Sequence, residues 1–483
     1  MPFNILSKLP MYLKVSLFLL FGFFSVNSAN SQTKEPYKAD WESLSKHQEV
    51  PEWIRDAKFG IYVHWGVYSV PAYNNEHYYS HMHNTADYAK LGTHRRHEAV
   101  YGPLSEFGYH DFIPRFKGEN FDARQWAELF VKGGARFAGM VAEHHDGFAM
   151  WDSKWTPFDA KEMGPQRDIV KELSQALRAK DVKFVASLHH SLNYGYVDPK
   201  PKWEASDPKY DKLYGTPMPR DEWLDMWLGK SNEVVDKFMP DLMYFDYWLK
   251  EIPDKYVKDY VAHYLNAAEE KDKDVIITYK EEGLPEDVGM KDFEIDGPEK
   301  ILDKSWLSDM PIGTGASYSW GYVDAMKIHG PEYIIEHLID VVSKNGQLML
   351  NLSPKADGTI PQNQKDVVHR VGRWLWSFGE SIYETRPYAV HGETTENEYE
   401  VRYTQKGDYV YAIFMDWPGE NTKINLEELN ENNLDAPLKD VKLLGLEEIH
   451  DASFEQASKG ITLTVPDARL PDEHAVVFRF ETE

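Results

Sequence analysis

No cysteine occurs among the 483 residues. Disulfides, thiolate metal sites and cysteine nucleophiles are thereby excluded. Basic charge is also scarce: 53 Lys and Arg against 79 Asp and Glu leave a formal net charge of −26. With no long basic run to offset it, that balance argues against nucleic acid or an anionic membrane as partner. Neither GxGxxG after the first strand nor GxxxxGK[ST] is present, so nucleotide binding lacks support. HExxH is missing too, as are internal repeats and low-complexity segments.

Long apolar runs are confined to the start of the chain. Lys8 and Lys14 precede VSLFLLFGFFSV, and the small residues Ser28 and Ala29 follow. The apolar stretch is too short to span a bilayer comfortably and has the pattern of a cleaved secretory signal. The expectation is that residues 1–32 are a signal peptide. After its cleavage the chain would have no membrane insertion and would be exported, periplasmic or secreted. Without cysteine, the lipid attachment of a bacterial lipoprotein has no residue to use.

What is present is an alternation of strand and helix patterns. FGIYV ends at His64, FAGMVAE at His144-His145-Asp146, KFVASL at His189-His190, LMYF at Asp246 and VIITY at Lys280. Amphipathic stretches separate them: FDARQWAELFVKGGAR, RDIVKELSQALRAKD, DEWLDMWLGKSNEVVDKF and DKYVKDYVAHYLNAAEEKD. Such alternation implies a parallel sheet. Polar residues gathered at strand C-termini point to a (β/α)8-like TIM barrel, with an open doubly wound sheet as the structural alternative. From about Arg386 the texture changes to short alternating runs such as DYVYAIFM and GITLTVPD, which read as an antiparallel β-sandwich. The expected division is therefore 33–385 for the catalytic barrel and 386–483 for the sandwich.

Asp246 is the best nucleophile candidate, a carboxylate among aromatic residues at a strand tip; the structural alternative is an Asp that caps a helix or pairs with a lysine. A retaining glycosidase needs a second carboxyl group about 5–5.5 Å away. Glu294, between Phe293 and Ile295, and Glu299, beside Lys300, are both available. Five histidines, His64, His144, His145, His189 and His190, invite a zinc reading. Adjacent strand residues point to opposite faces, however, so neither HH pair fits one coordination sphere easily. Neutral imidazoles that bind sugar hydroxyls fit better, and no metal or cofactor is expected. Tyr244, Trp248, Trp151 and Trp320 offer stacking faces, although core packing is the commoner use of such rings.

Taken together, these stretches resemble glycoside hydrolase family 29, the retaining α-L-fucosidases. The resemblance is carried by AKFGIYVHWGVYSVPAYNNEHYY, FVKGGARFAGMVAEHHDGFAMWDSKWT, YFD, SWGY, NGQLMLNLSPKADGTIP and GRWLWSFGESIYETRPY. It implies a barrel plus sandwich and a fucosylated glycan as substrate. It also implies Asp246 as nucleophile, and His64, Glu76, His144 and His145 as fucose-binding residues. His190, Tyr244, Trp248 and Trp151 complete the expected sugar contacts. Glu294, twelve residues before Trp306, falls near the family's acid/base position, with Glu299 in reserve. The chain departs from the family pattern at His77 (for a tryptophan), at His189-His190 (for a tyrosine pair) and at Lys280 (for an arginine). The loop HYYSHMHNTADYAKLGTHRRH, with Arg95 and Arg96, raises the expectation of a sulfated or acidic glycan. The alternatives are another 6-deoxy or galacto-configured sugar, an inactive glycan-binding protein on the same scaffold, and a metal-dependent hydrolase resting on histidine count alone.

Overall fold

A computed structural model describes residues 35–483 apart from 48–49, 86–87, 316–318, 446–448 and 468–473. The segment read as an export signal lies outside the described residues. Tyr37–Glu483 forms one unit, and all that follows concerns it.

Eight parallel strands make the first sheet: β1 (Phe59–Val63), β2 (Phe137–Glu143), β3 (Lys183–Leu188), β4 (Leu242–Phe245), β5 (Ile276–Tyr279), β6 (Met290–Lys291), β7 (Trp306–Pro311) and β8 (Gly346–Leu352). Their order is β6-β5-β4-β3-β2-β1-β8-β7. A parallel bridge between Asp292 and Leu307 joins the two ends, so the sheet is a barrel with one thin seam. Almost every strand residue is buried, as expected where helices cover the outside and side chains fill the inside. Alternate residues divide between two cores. Tyr62, Phe137, Val141, Val185, Leu242, Tyr244, Ile276, Leu307 and Met349 fill the interior. Ile61, Met140, Phe184, Met243, Ile277 and Leu350 pack outward against the helices.

The helices form where the amphipathic stretches predict them. Ala123–Lys132 starts at Asp122, whose carboxylate accepts from the Arg124 and Gln125 N–H groups, a cap worth about 1 kcal/mol. It buries Trp126, Leu129 and Phe130 and ends at Gly133. Ile169–Arg178 repeats the scheme with Asp168 as its cap. Arg220–Phe238, Asp254–Glu269, Pro331–Ser343 and Gln362–Phe378 continue the outer layer.

Beyond residue 385 lie a six-stranded and a three-stranded antiparallel sheet. Tyr403, Phe414, Val441, Phe478 and Phe480 of the larger sheet share a core with Ile424, Leu426, Ile461 and Leu463 of the smaller. Arg402 pairs with Asp340 at 2.8 Å, and the Trp374 indole donates to the Ala475 carbonyl at 2.9 Å. The sandwich is thus fastened to the outer helices of the barrel.

Candidate active site

Side-chain parity decides which residues reach the barrel mouth. On β4, Leu242 and Tyr244 face in and Met243 and Phe245 face out, so the next residue, Asp246, faces in. On β1 the same count places His64 inside after Tyr62. On β2 the count is broken by a register shift between Val141 and Glu143. Glu143 is thereby turned outward onto Lys230, at 2.7 Å, and His144 inward. His145 lies past the strand end, where the turn to Gly147 frees it from alternation. Gly147 has φ +79, and a Cβ there would lie 1.8 Å from the Leu213 carbonyl oxygen.

Asp246 is 8% exposed. Its Oδ1 lies 3.2 Å from the Lys280 ammonium, and its Oδ2 lies 3.2 Å from His189 Nδ1 and 3.6 Å from His145 Nε2. Burial alone would raise its pKa, but Lys280 and then His189 outweigh burial and hold the carboxyl well below the usual carboxylate range. The neighbouring hydrogen bonds fix the tautomers. The Ser187 hydroxyl meets His189 Nε2 at 2.8 Å, leaving Nδ1–H to donate to Asp246. His145 Nδ1 must carry hydrogen, because it faces the His189 carbonyl at 2.5 Å, and a carbonyl only accepts. Burial keeps His145 neutral. Its bare Nε2 and Asp246 Oδ2 are therefore two acceptors facing each other, a gap suited to a hydroxyl donor. His64 is set in the same way. Asn351 Nδ2 donates to the Trp320 carbonyl at 2.8 Å, so Asn351 Oδ1 accepts from His64 Nδ1 at 2.8 Å, and His64 Nε2 is an acceptor.

Across the mouth the groups are charged. The Lys280 ammonium lies 2.6 Å from Glu294 Oε2, 3.5 Å from Asp309 Oδ1 and 3.6 Å from Asp292 Oδ2. Together with Asp246 that makes four carboxyl groups around one buried cation. Burial raises the Glu294 pKa, against the pull of Lys280, while Asp246 is held ionised. Through Lys280 Nζ the two legs of 3.2 Å and 2.6 Å cap the separation of the nearest Asp246 and Glu294 oxygens at about 5.8 Å. Glu294 and Ile295 have φ +41 and +62, consecutive left-handed residues, the second β-branched. Strain of this kind persists only where the surroundings over-determine it, and it concentrates at functional sites. Glu299 sits farther along the same loop and is solvent-exposed.

The remaining expected contacts divide. Glu76 is buried, but one oxygen already accepts from Ser319 Oγ (3.0 Å) and the Trp320 (2.8 Å) and Gly321 (3.1 Å) N–H groups. It ties down the Trp320 loop and keeps Oε1 for His77, 3.4 Å away. His77 also bonds the Tyr196 hydroxyl and stacks on His145 at 5.5 Å. His144 stacks on His189 at 4.9 Å, and Trp248 meets His145 edge-on at 5.4 Å. Trp320 lies 5.3 Å from the His64 ring. Tyr244 lies beneath the mouth, buried in the interior, its hydroxyl between Asp292 and Asp309.

Two expected sugar contacts face away. His190 follows His189 on the opposite parity and stacks on Trp227 at 5.7 Å, with Nε2–H donating to the Trp227 carbonyl. His189 occupies the pocket position that the sequence reading gave to His190. Trp151 is wholly buried outside the barrel, its indole donating to Glu233 at 2.9 Å. In the histidine-rich loop, His83, His94 and His97 bond backbone carbonyls, and Arg95 and Arg96 face solvent, Arg96 over the Tyr73 ring.

His64, His144 and His189 bring ring nitrogens within 4.8 Å of one another, as do His145, His189 and Asp246 with their ligand atoms. Tetrahedral zinc ligands at 2.0–2.1 Å would stand about 3.4 Å apart, and both His189 nitrogens are already hydrogen-bonded. A cation there would also share the pocket with the Lys280 ammonium.

A family model described as "Alpha-L-fucosidase" matches residues 24–380, and one described as "Alpha-L-fucosidase C-terminal domain" matches 394–481. The chain belongs to the alpha-L-fucosidase family, glycoside hydrolase family 29. It is 31% identical to the tissue alpha-L-fucosidase of Rattus norvegicus over 464 residues, 92% of this chain and 93% of that protein. The Homo sapiens tissue enzyme is 32% identical over 424 residues, 85% of each. The Thermotoga maritima alpha-fucosidase, solved in complex with fucose, superposes with a TM-score of 0.75 at 31% identity, covering 92% of this chain and all of that one. Family membership makes the chain a glycoside hydrolase. Barrel, sandwich and family agree with the sequence reading.

Sequence reasoning missed Asp292 and Asp309. The first follows a two-residue strand, and the second lies in WLSDMP, whose Ser308 and Asp309 disguise a buried strand. For Asp309 the available signal was a lone charge among mostly apolar neighbours; Asp292, within KDFEID, offered none.

Proposed function

We propose that this family member is an exo-acting retaining α-L-fucosidase that removes terminal α-L-fucosyl residues from glycans by double displacement. The observation that carries the reading is the pair Asp246 and Glu294, joined through Lys280 within about 5.8 Å. That bound on the nearest oxygens is compatible with the 5–5.5 Å spacing of carboxyl groups in retaining enzymes. The pair also differs in protonation as the mechanism requires, with Asp246 ionised and Glu294 pushed towards its acid form.

An Asp246 oxygen attacks C1 while Glu294 gives its proton to the departing glycosidic oxygen. The glycosyl ester then loses its sugar to a water whose proton returns to Glu294. For that transfer the Glu294–Lys280 contact opens as the glycosidic oxygen enters. His64, Glu76, His144 and His145 hold the sugar hydroxyls, and His189 joins them by orienting Asp246. Trp248 and Trp320 wall the pocket, and Tyr244 supports its floor. The near-complete burial of Asp246 supports exo action on a chain end. An export role for residues 1–32 and the division at 385/386 belong to the same reading. A sulfated glycan rests on Arg95 and Arg96 alone, and their charge reversal should selectively weaken action on sulfated substrate.

The test is nitrophenol release from the α-L-fucoside, with other nitrophenyl glycosides as controls. Asp246→Ala should lose on the order of 10⁴-fold in kcat, and azide should restore turnover with inverted product. Glu294→Gln should lose on the order of 10²–10⁴-fold, with azide rescue and retained configuration. The wild-type rate should fall as pH rises through the raised pKa of Glu294 and, far to the acid side, as Asp246 protonates; Glu294→Gln should erase the alkaline limb. Full activity of Asp246→Ala would overturn the assignment.

A further inference from the structure

Below the two catalytic carboxyls lies a third and fourth that the mechanism does not use. Asp292 and Asp309 are buried at 3% and 1% exposure. Between them stands the Tyr244 hydroxyl, 2.9 Å from Asp292 Oδ2 and 2.9 Å from Asp309 Oδ2. A phenol has one hydrogen and cannot donate to both. If both carboxyls were ionised, one of these contacts would press two acceptors together in a dry interior, at a cost that buried polar groups do not normally bear.

The surroundings say which one keeps the proton. Lys280 stands almost equally far from both, 3.5 Å from Asp309 Oδ1 and 3.6 Å from Asp292 Oδ2, and does not tell them apart. Asp309 Oδ2 alone accepts a second hydroxyl, that of Tyr62 at 2.6 Å, and two phenol donors on one oxygen are partners of an anion. Asp292 Oδ1 accepts the backbone N–H of Asp309 (3.1 Å) and of Glu294 (3.3 Å), which leaves Oδ2 to carry hydrogen towards Tyr244. The chain then closes without a clash. Asp292 Oδ2–H donates to Tyr244, Tyr244 donates to Asp309, and Tyr62 donates to Asp309 from the other side.

We propose that Asp292 and Asp309 hold one proton between them, Asp292 as neutral acid and Asp309 as anion, and that this pair positions Lys280 and sets the charge felt by Asp246 and Glu294. The inference rests on the catalytic roles given above. Burial and the neighbouring Asp309 also drive Asp292 towards its protonated form. The groups facing the pair are Tyr62 from β1, Tyr244 and Asp246 from β4, Lys280 from β5, and Glu294 from the loop after β6. Both aspartates are positioning residues.

Two isosteric variants separate the pair. Asp292→Asn replaces a neutral donor by a neutral donor, so both limbs of the pH–rate profile should stay where they are. Asp309→Asn removes a negative charge beside Lys280. The ammonium then favours ionised Glu294 more strongly, and the alkaline limb should move to lower pH by about one unit, with kcat falling at least about tenfold and KM changing little. A limb displaced as far by Asp292→Asn as by Asp309→Asn, or unmoved by Asp309→Asn, overturns the proposal. Infrared absorption at neutral pH provides a readout independent of turnover. In a Glu294→Gln background, Asp292→Asn should remove the C=O band of one protonated carboxyl; an unchanged band overturns the proposal even if wild type hydrolyses fucoside. If wild type released no nitrophenol while that band disappeared, the proton pair would stand and the substrate reading would fall.

Discussion

Two buried lysines stand on opposite faces of the same barrel wall. Lys230, on Arg220–Phe238, meets Glu143 at 2.7 Å outside β2, and both side chains are about 1% exposed. Lys280, at the inner mouth, meets four carboxyls between 2.6 and 3.6 Å. Outside, one carboxyl is matched to one ammonium, which is what holding a helix to a strand requires. Inside, one cation is over-subscribed, so some of its neighbours must hold protons. A mismatch of charge costs stability and supplies groups able to exchange protons. On the function proposed above, the outer pair is architecture and the inner cluster is chemistry, although both are buried lysine–carboxylate contacts.

Exchanging the two lysines' roles is the strongest way to break that contrast. Lys280→Met should lower kcat on the order of 10²–10³-fold, because it removes the charge that keeps Asp246 ionised. Circular dichroism melts should show a much smaller change, since the remaining carboxyls can neutralise by taking protons. Lys230→Met should do the reverse. Breaking a fully buried pair costs about 3–5 kcal/mol, visible in denaturant titration, while kcat of the folded fraction stays within a few-fold. If Lys230→Met cost activity at full stability, the outer pair would not be merely architectural.

A smaller effect sharpens the outer side of the comparison. Burial pushes Glu143 up to about 7, against the pull of Lys230. A raised acid pKa means the folded state binds more protons, so this group's contribution to stability is full below the unfolded value near 4.5 and is lost as pH rises through about 7. Denaturation midpoints measured across that window should slope downwards in wild type, and less so in Glu143→Gln. An identical slope in both would place the titration elsewhere.

How far the sequence discloses this site depends on parity. Asp246 and His64 were legible because each follows an uninterrupted alternating strand. His144 and His145 were legible as a pair, but the reason that His144 turns inward is the bulge before Glu143, which no periodicity reveals. The rule that neighbours on a strand face opposite ways was sound for His189 and His190, yet it does not say which face is the inside; the sequence reading chose His190, and the structure puts His189 beside Asp246. Trp151 was offered as a stacking face, whereas the chain has by then left the mouth and the indole is spent on Glu233. The inner cluster was the least visible part. Lys280, Asp292, Glu294 and Asp309 come from three short strands and a strained loop, and only closure of the barrel seam brings them together.

The least disruptive substitution tests that parity argument directly. His189 and His190 are chemically identical and adjacent, so any difference between them must come from direction. His190→Gln keeps a donor for the Trp227 carbonyl and loses ring packing on Trp227; about 1–2 kcal/mol of stability should go, with KM and kcat nearly unchanged. His189→Gln should leave stability within a similar range and lower kcat instead, because the donor that orients Asp246 Oδ2 is displaced. Equal kinetic losses in the two variants would mean that His190 reaches the pocket in solution, and the parity assigned to the end of β3 would have to be reversed.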